Sequence, residues 1–261
     1  MSSTVLERDT HIPQELGQLF ESLLTVKKRF EGLDMSPEQF PPGPHNVVKF
    51  STLNLLEPVP EHLKATFDVL HLRLLVLGLP KGTWEVACQN ILSLLKPGGW
   101  VQWEEGDFKY DTIAPTGTNR CRKRFLTKTS SSMKVVQELP GVSTRAAQEY
   151  FDRLIAEERA HDQGIDDVPR LASYLSKVGF KNANTDVFST DRVAGTRQGF
   201  NNAMMGAYHG VTTMFIKSDG EKSFWNTEAA AKLYEDAVSE VSDGKAYYRA
   251  EIHVHSAQRP H

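Results

Sequence analysis

Side chains that can bind sugars or move protons follow predicted strands in the first half of the chain. Asp34 ends a short extended run, His71 lies at the end of an apolar run, and Asp107 follows a third run. A carboxylate such as Asp34 can accept two hydrogen bonds from a vicinal diol. A histidine or a group of carboxylates can take up or relay a proton. These positions predict a ligand-binding edge. A solvated turn, a core histidine and solvated acidic residues remain open as alternatives.

The elements around these residues predict a parallel sheet. Residues 67–72 form a nearly continuous apolar run, which is typical of a buried parallel strand. The next segment has apolar residues at helical spacing, namely Trp84, Ala87, Cys88, Ile91, Leu92 and Leu95. Turn-forming residues 96–99 end this helix, and a strand is predicted over 100–104. Strand, helix and strand in this order predict an α/β fold with its ligand edge at the carboxyl ends of the strands.

The second half of the chain is predicted to be mostly helical. Apolar spacing predicts four helices, over 147–158, 168–178, 199–215 and 226–241, the last with Asn226 as its N-cap, and one strand over 185–189. In the final segment apolar residues alternate with polar ones, which predicts a half-covered antiparallel strand. We expect His253 and His255 on the exposed face of that strand. Two imidazoles on one face can bind a metal, but no third ligand is evident nearby, so we predict no metal site.

Composition excludes several classes of protein. The 261 residues carry a formal charge of -3 with a pI near 6.3, which gives no electrostatic reason to expect nucleic acid or an anionic membrane as partner. No apolar run approaches the length of a membrane span, and the N-terminus is too polar for a secretory signal. Two cysteines do not form a disulfide framework. We therefore expect a soluble protein of a reducing compartment, the cytoplasm.

Four segments, in order and at the right spacings, carry a family resemblance. GLDMSPEQFPP and NVVKFSTLNLLEP resemble the second and third strands of class I S-adenosylmethionine (SAM) dependent methyltransferases. FDVLHLRLLVLGLP and LLKPGGWVQWEE resemble their fourth and fifth strands with the helix between. The sequence of these segments is most similar to the group found in fungal secondary-metabolite clusters. The resemblance implies a Rossmann-like sheet, mostly parallel with an antiparallel last strand, and helical additions. It also implies one domain over 1–261, with a cofactor half at 1–108 and a substrate side at 109–261.

The resemblance also implies a cofactor, a substrate and site residues. The cofactor is SAM, and the substrate is a small molecule. Cofactor contacts fall on Asp34, Met35, Asn54 and Leu55, with Asp34 on the ribose hydroxyls. Catalytic roles fall on His71 and Asp107, and substrate contacts on Trp103, Tyr208 and His209. Ordinary core packing is the alternative for the aromatic residues around Tyr208, because they recur at helical spacing.

One motif of the family is missing. The first strand is normally followed by a G-x-G-x-G loop, and this chain contains no G-x-G anywhere. Residues 4–7 can be aligned with the first strand, 8–12 with the loop and 14–28 with the following helix; alternatively, the first strand is lost. Without the glycine loop, Arg8 or His11 would have to bind the carboxylate of the cofactor.

Two other functions stay open beside methyl transfer. A degenerate methyltransferase fold that acts as a binding or scaffolding subunit is the main alternative. A nicotinamide-dependent dehydrogenase is disfavoured, because it needs the same missing glycine fingerprint. An uncovered sheet edge would favour a homo-oligomer or another protein partner.

Overall fold

The computed structural model describes residues 30–43, 48–108 and 133–261. The predicted first strand, its loop and the helix over 14–28 lie outside the described residues. Within these residues, we find no helix whose length and hydropathy would let it cross a bilayer.

The described chain alternates strands and helices. Its strands are β1 (Phe30–Asp34), β2 (Val48–Thr52), β3 (Phe67–Arg73), β4 (Leu95–Asp107), β5 (Lys134–Gln137), β6 (Lys181–Ser189), β7 (Ala246–Arg249) and β8 (Glu251–Gln258). Its α-helices are α1 (Trp84–Leu94), α2 (Arg145–Ala160), α3 (Leu171–Lys177), α4 (Arg197–Asp219) and α5 (Glu228–Val241).

The central sheet has four strands in the order β3-β4-β8-β6. β3 and β4 are parallel, and β8 is antiparallel to both of its neighbours, β4 and β6. Three strands therefore run in one direction and the last strand of the chain runs in the other. This arrangement confirms the predicted α/β fold, mostly parallel with an antiparallel last strand.

Two further strand pairs stand beside the central sheet. β1 and β2 are parallel and in register from Phe30 and Val48 to Asp34 and Thr52, while β5 and β7 are antiparallel. A small cluster around Leu63 and Leu94 includes Leu33 of β1 and Leu53 after β2, together with Phe67 and Leu70 of β3. Within the described residues β3 pairs with β4 alone, and its apolar side chains are only half-buried. The prediction of a fully buried position for β3 is therefore not met, because only one of its edges has a described strand partner.

Helix α1 covers one face of the central sheet. Trp84 stacks on Trp103 of β4 at 5.6 Å between ring centroids, and Ala87, Cys88 and Ile91 are fully buried. The helix ends where predicted, but β4 begins at Leu95 rather than at Trp100. Leu95 pairs with Phe67, and a register shift carries the ladder past the glycines to Trp100.

The helices of the second half pack into the same core. One hydrophobic cluster extends from Val76 to Ala257 and takes residues from both halves of the chain. The N-cap of α5 is Thr227, whose Oγ1 accepts a hydrogen bond from the Ala230 N–H at 3.2 Å, so the prediction of Asn226 as cap was one residue early.

The buried and exposed faces of the last strand are the reverse of the prediction. His253 and His255 are buried, with 8% and 0% of their surface exposed, while Ile252 and Val254 are half-buried. β8 lies between two strands rather than at an exposed margin, and its histidine face is the face that carries Trp103 and Glu105 of β4. Because the core covers that face, the histidines of the alternating pattern are buried.

Candidate functional site

Asp34 lies at the carboxyl end of β1, beside the end of β2. Its backbone carbonyl accepts from the Leu53 N–H at 2.9 Å, and its Oδ1 accepts from the Ser36 N–H at 2.8 Å. The side chain is half-buried. One carboxylate oxygen thus fixes the turn, and the carboxylate as a whole is positioned at the edge of the strand pair, where a diol can reach it.

The other predicted cofactor contacts are positioned less favourably. Asn54 uses its amide in a local turn, with Oδ1 accepting from the Leu56 N–H at 2.9 Å and Nδ2 donating to Glu57 at 3.1 Å. Leu55 is partly buried against both hydrophobic clusters. Met35 is 67% exposed. Asn54 therefore stabilises the loop after β2, and Met35 is the most accessible apolar surface of this group.

His71 forms a polar group with Glu104 on one face of the central sheet. Its Nε2 lies 3.2 Å from Glu104 Oε1, the imidazole is half exposed, and Gln102 donates to the same carboxylate oxygen at 3.0 Å. Arg73 Nε lies 3.6 Å from Glu104 Oε2. The carboxylate orients the imidazole and leaves the rest of the ring at the surface.

Asp107 does not lie near this group. Side chains alternate along a strand, so Asp107 shares the face of Trp103, whereas His71 pairs with Gln102 on the opposite face. The two predicted catalytic residues are therefore not brought together. Asp107 is instead 7% exposed, and its Oδ2 lies 3.6 Å from His253 Nε2.

Burial lowers the pKa values of the two histidines beside Asp107. Desolvation lowers the pKa of His253, although the charges of Asp107 and Glu251 oppose this effect. Desolvation, with a smaller effect of the neighbouring His253, lowers the pKa of His255 to about 3. Burial thus favours the neutral form of both rings. In that form each ring has one N–H and one lone pair.

Glu105 joins β4 to the segment after β3. It is fully buried, its Oε1 accepts from the Leu75 N–H at 2.8 Å and from Trp103 Nε1 at 2.6 Å, and its Oε2 accepts from the Val76 N–H at 3.2 Å. Burial raises the pKa of Glu105 to about 7, while these hydrogen bonds oppose the shift. The alternative of solvated acidic residues does not hold for Glu105 and Asp107, because β4 continues through Asp107 and both side chains are buried.

The predicted substrate contacts divide between core and surface. Trp103 and Tyr208 are fully buried, and the Tyr208 hydroxyl lies 3.2 Å from the sulfur of Met133. His209 is exposed, with its ring 5.1 Å from that of Tyr234. Core packing, which was the alternative interpretation for Tyr208, is therefore what the structure shows for Tyr208, and Trp103 is buried in the same way. Of the three predicted substrate contacts, only His209 is accessible.

Two residues of the candidate site were not predicted as site residues. Glu251 pairs with Asp107 across β4 and β8, and His253 pairs with Glu105. The alternation of His253 and His255 was the available signal. Its interpretation depended on which face of the last strand is covered, and the sequence of that strand alone does not determine this.

Comparisons with known proteins find relatives among fungal methyltransferases. The methyltransferase grgD of a Penicillium species is 34% identical over 138 residues, which cover 52% of this chain and 46% of that protein. The N-methyltransferase sirN of Leptosphaeria maculans is 41% identical over 76 residues, 29% of this chain and 26% of that protein. The N-methyltransferase gliN of Aspergillus fumigatus is 32% identical over 92 residues, 35% of this chain and 33% of that protein. No protein-family model matches the chain.

The matches cover only part of each protein. The chain spans less than half the length of these relatives. Among solved structures, phosphoethanolamine N-methyltransferase 2 of Haemonchus contortus aligns with 94% of this chain and 47% of its own, at 12% identity and a TM-score of 0.41, a likeness too low to support an inference. The sequence is thus similar to parts of fungal methyltransferases, as the motifs between residues 30 and 107 indicated.

Proposed function

We propose that this chain acts as a SAM-dependent methyltransferase on a small molecule, in the biosynthesis of a secondary metabolite. The observation that carries the proposal is the sequence similarity to fungal methyltransferases, which reaches 34% identity over 138 residues. The order and direction of the central strands agree with it.

Asp34 is the residue that we assign to the cofactor. SAM supplies a methyl group on a positively charged sulfur, and its ribose carries a vicinal diol. Asp34 is half-buried at a strand end, and the Ser36 N–H fixes one of its oxygens. A carboxylate held in this way can accept both hydroxyl hydrogen bonds without first losing side-chain freedom. The exposed side chain of Met35 offers apolar surface next to it.

His71 is the residue that we assign to the acceptor side. Methylation of a nitrogen or oxygen that carries a hydrogen releases one proton, and an imidazole can accept it. Glu104 contacts the Nε2 of His71 at 3.2 Å, and half of the side chain remains exposed for a substrate. His209 is the second accessible polar side chain that we assign to the substrate, whereas we assign no substrate contact to the buried Trp103 and Tyr208.

Because the chain has no G-x-G motif, the remaining contacts must supply most of the binding free energy of the cofactor. Hydrogen bonds to charged groups contribute roughly 1.5–3 kcal/mol each, and micromolar binding amounts to about 8 kcal/mol. Loss of two loop contacts would therefore make Asp34 a large part of the affinity that remains. A direct binding measurement on Asp34 variants is the sharpest test of the proposal.

The test is calorimetric titration of SAM and S-adenosylhomocysteine into the wild type and into Asp34→Asn. Asparagine keeps an oxygen for the Ser36 N–H but removes the charge. We expect micromolar binding by the wild type and binding at least tenfold weaker by Asp34→Asn. Asp68→Asn is the matched control, because Asp68 is an exposed strand carboxylate paired with Lys96. Its binding is expected to equal that of the wild type.

Two outcomes would contradict this assignment. A folded wild type that binds neither ligand at millimolar concentration would exclude the enzyme function and leave the degenerate binding subunit. Equal affinity in the wild type and Asp34→Asn would remove Asp34 from the cofactor site. A cytoplasmic location and a homo-oligomeric or protein partner stay predictions that rest on the sequence.

A further inference from the structure

The face of the central sheet opposite His71 gathers three side chains that metals prefer. Asp107, at the end of β4, pairs with Glu251 at the start of β8, and His253 follows two residues later on the same face. One ligand atom from each of the three lies within 4.8 Å of the others. Two neighbouring strands thus bring one imidazole and two carboxylates together, which supplies the third ligand that the sequence did not show.

The distance between Asp107 and His253 suits two ligands of one ion. Their closest atoms, Oδ2 and Nε2, are 3.6 Å apart. This separation is longer than a hydrogen bond. Two ligands bound to a tetrahedral zinc at 2.0–2.2 Å lie roughly 3.4 Å apart. Glu251 is half-buried, and one of its carboxylate oxygens lies within 4.8 Å of a ligand atom of each of the other two residues.

Burial of the imidazole is a second observation at the same place. His253 is more than nine-tenths buried, and its Nδ1 has no hydrogen-bond partner among the described residues. The ring of His255 lies 5.8 Å away, fully buried, with Nδ1 at 2.9 Å from Thr185 Oγ1 and with Nε2 equally unpartnered among those residues. The Nδ1 of His253 lies on the other side of the ring from the Nε2 that faces Asp107, so Nε2 is the nitrogen available to an ion held by Asp107, Glu251 and His253.

We propose that Asp107, Glu251 and His253 bind a divalent transition metal, with Zn²⁺ as the fitting ion. An imidazole nitrogen disfavours Mg²⁺ and Ca²⁺, while zinc accepts both nitrogen and carboxylate ligands at closely similar distances. Three protein ligands leave one tetrahedral position for water or a ligand atom. The ion would also join the end of β4 to the start of β8.

The test uses untagged full-length protein, stripped with a chelator and titrated with ZnCl₂ by calorimetry at pH 7. We expect one equivalent to bind with a micromolar or lower Kd and to raise the Tm. His253→Gln and Glu251→Gln are each expected to weaken binding at least tenfold. Glu251→Gln guards against a folding defect in His253→Gln, because Glu251 is only half-buried. Circular dichroism checks that each variant is folded.

A second cluster in the chain provides the matched control. Glu157, His161 and Asp219 also place ligand atoms within 4.8 Å, but His161 is exposed and its Nε2 lies 3.3 Å from Asp219. His161→Gln is expected to bind zinc like the wild type. Loss of binding in His161→Gln alone would assign the ion to that cluster and overturn the proposal. So would the absence of saturable binding at 100 μM ZnCl₂, or unchanged binding in both site variants.

Discussion

At the scale of single residues, the carboxylate of Glu105 fixes the segment that follows β3. It accepts two backbone N–H groups, from Leu75 and Val76, and the indole N–H of Trp103. The segment begins at Leu74, which has a positive φ of 54° and is half exposed. The hydrogen bonds of Glu105 thus hold a segment with an unfavourable backbone conformation next to His71.

Replacing Glu105 with glutamine tests this role. The NH2 group of the glutamine amide cannot accept a hydrogen bond, so at least one buried donor loses its partner. We expect Glu105→Gln to lower the free energy of unfolding by about 1–3 kcal/mol, measured by urea denaturation. Glu104→Gln is the control, since Glu104 lies on the opposite face and is partly exposed, and its cost should stay below about 1 kcal/mol. Equal costs in the two variants would contradict a special role for Glu105.

At the scale of elements, helix ends differ in ways that the sequence only partly predicts. Both α2 and α5 begin after a threonine. Thr227 accepts the Ala230 N–H through its side chain, whereas Thr144 makes no side-chain cap. The difference follows from the backbone, which is extended at Thr227 and closer to helical at Thr144.

This pair of caps gives a matched prediction. Thr227→Ala should lower the free energy of unfolding by about 1 kcal/mol, because it leaves an N–H at the start of α5 without its partner. Thr144→Ala should change it by less than about half that amount. Both values can be measured by thermal or urea unfolding. A larger loss in Thr144→Ala would show that the described cap does not determine the stability of these helices.

Strand and helix positions could largely be predicted, whereas the facing of one strand could not. The apolar run of β3 and the helical spacing of α1 depend on local pattern alone, and both elements lie where predicted. The facing of His253 depends on β8 lying between β4 and β6, which is a property of the sheet. The prediction placed Asp107 correctly at a strand end. It did not show, for the same reason, that Asp107 lies on the face opposite His71.

At the scale of the whole molecule, buried acids make stability depend on pH. Glu158 of α2 is 2% exposed, and its Oε2 has no hydrogen-bond partner among the described residues. Desolvation, with a smaller effect of the neighbouring Glu157, raises the pKa of Glu158 from 4.5 to about 7. Below pH 4.5 both the folded and the unfolded chain hold the proton. As pH rises to 7, the unfolded chain releases it first, so this residue lowers stability increasingly over that range.

Glu158→Gln should therefore be more stable than the wild type at pH 8, by roughly 1–3 kcal/mol, with the difference declining towards pH 4.5. Urea unfolding at pH 4.5, 6 and 8 measures the trend. Glu149→Gln, at an exposed site on the same helix, is expected to differ from the wild type by less than about 1 kcal/mol throughout. A difference that stays constant with pH would show that Glu158 does not hold a proton in the folded state.

The central place of β8 has a consequence for synthesis of the chain. β4 is complete at residue 107 and β6 at residue 189, but the strand that joins them comes from residues 251–258. During synthesis on the ribosome, the edges of β4 and β6 that pair with β8 remain unpaired until those residues have emerged. Such non-local pairing is slow, and waiting edges are prone to aggregate. The edges of β4 and β6 that pair with β8 are therefore open to aggregation during synthesis until residues 251–258 have been inserted between them.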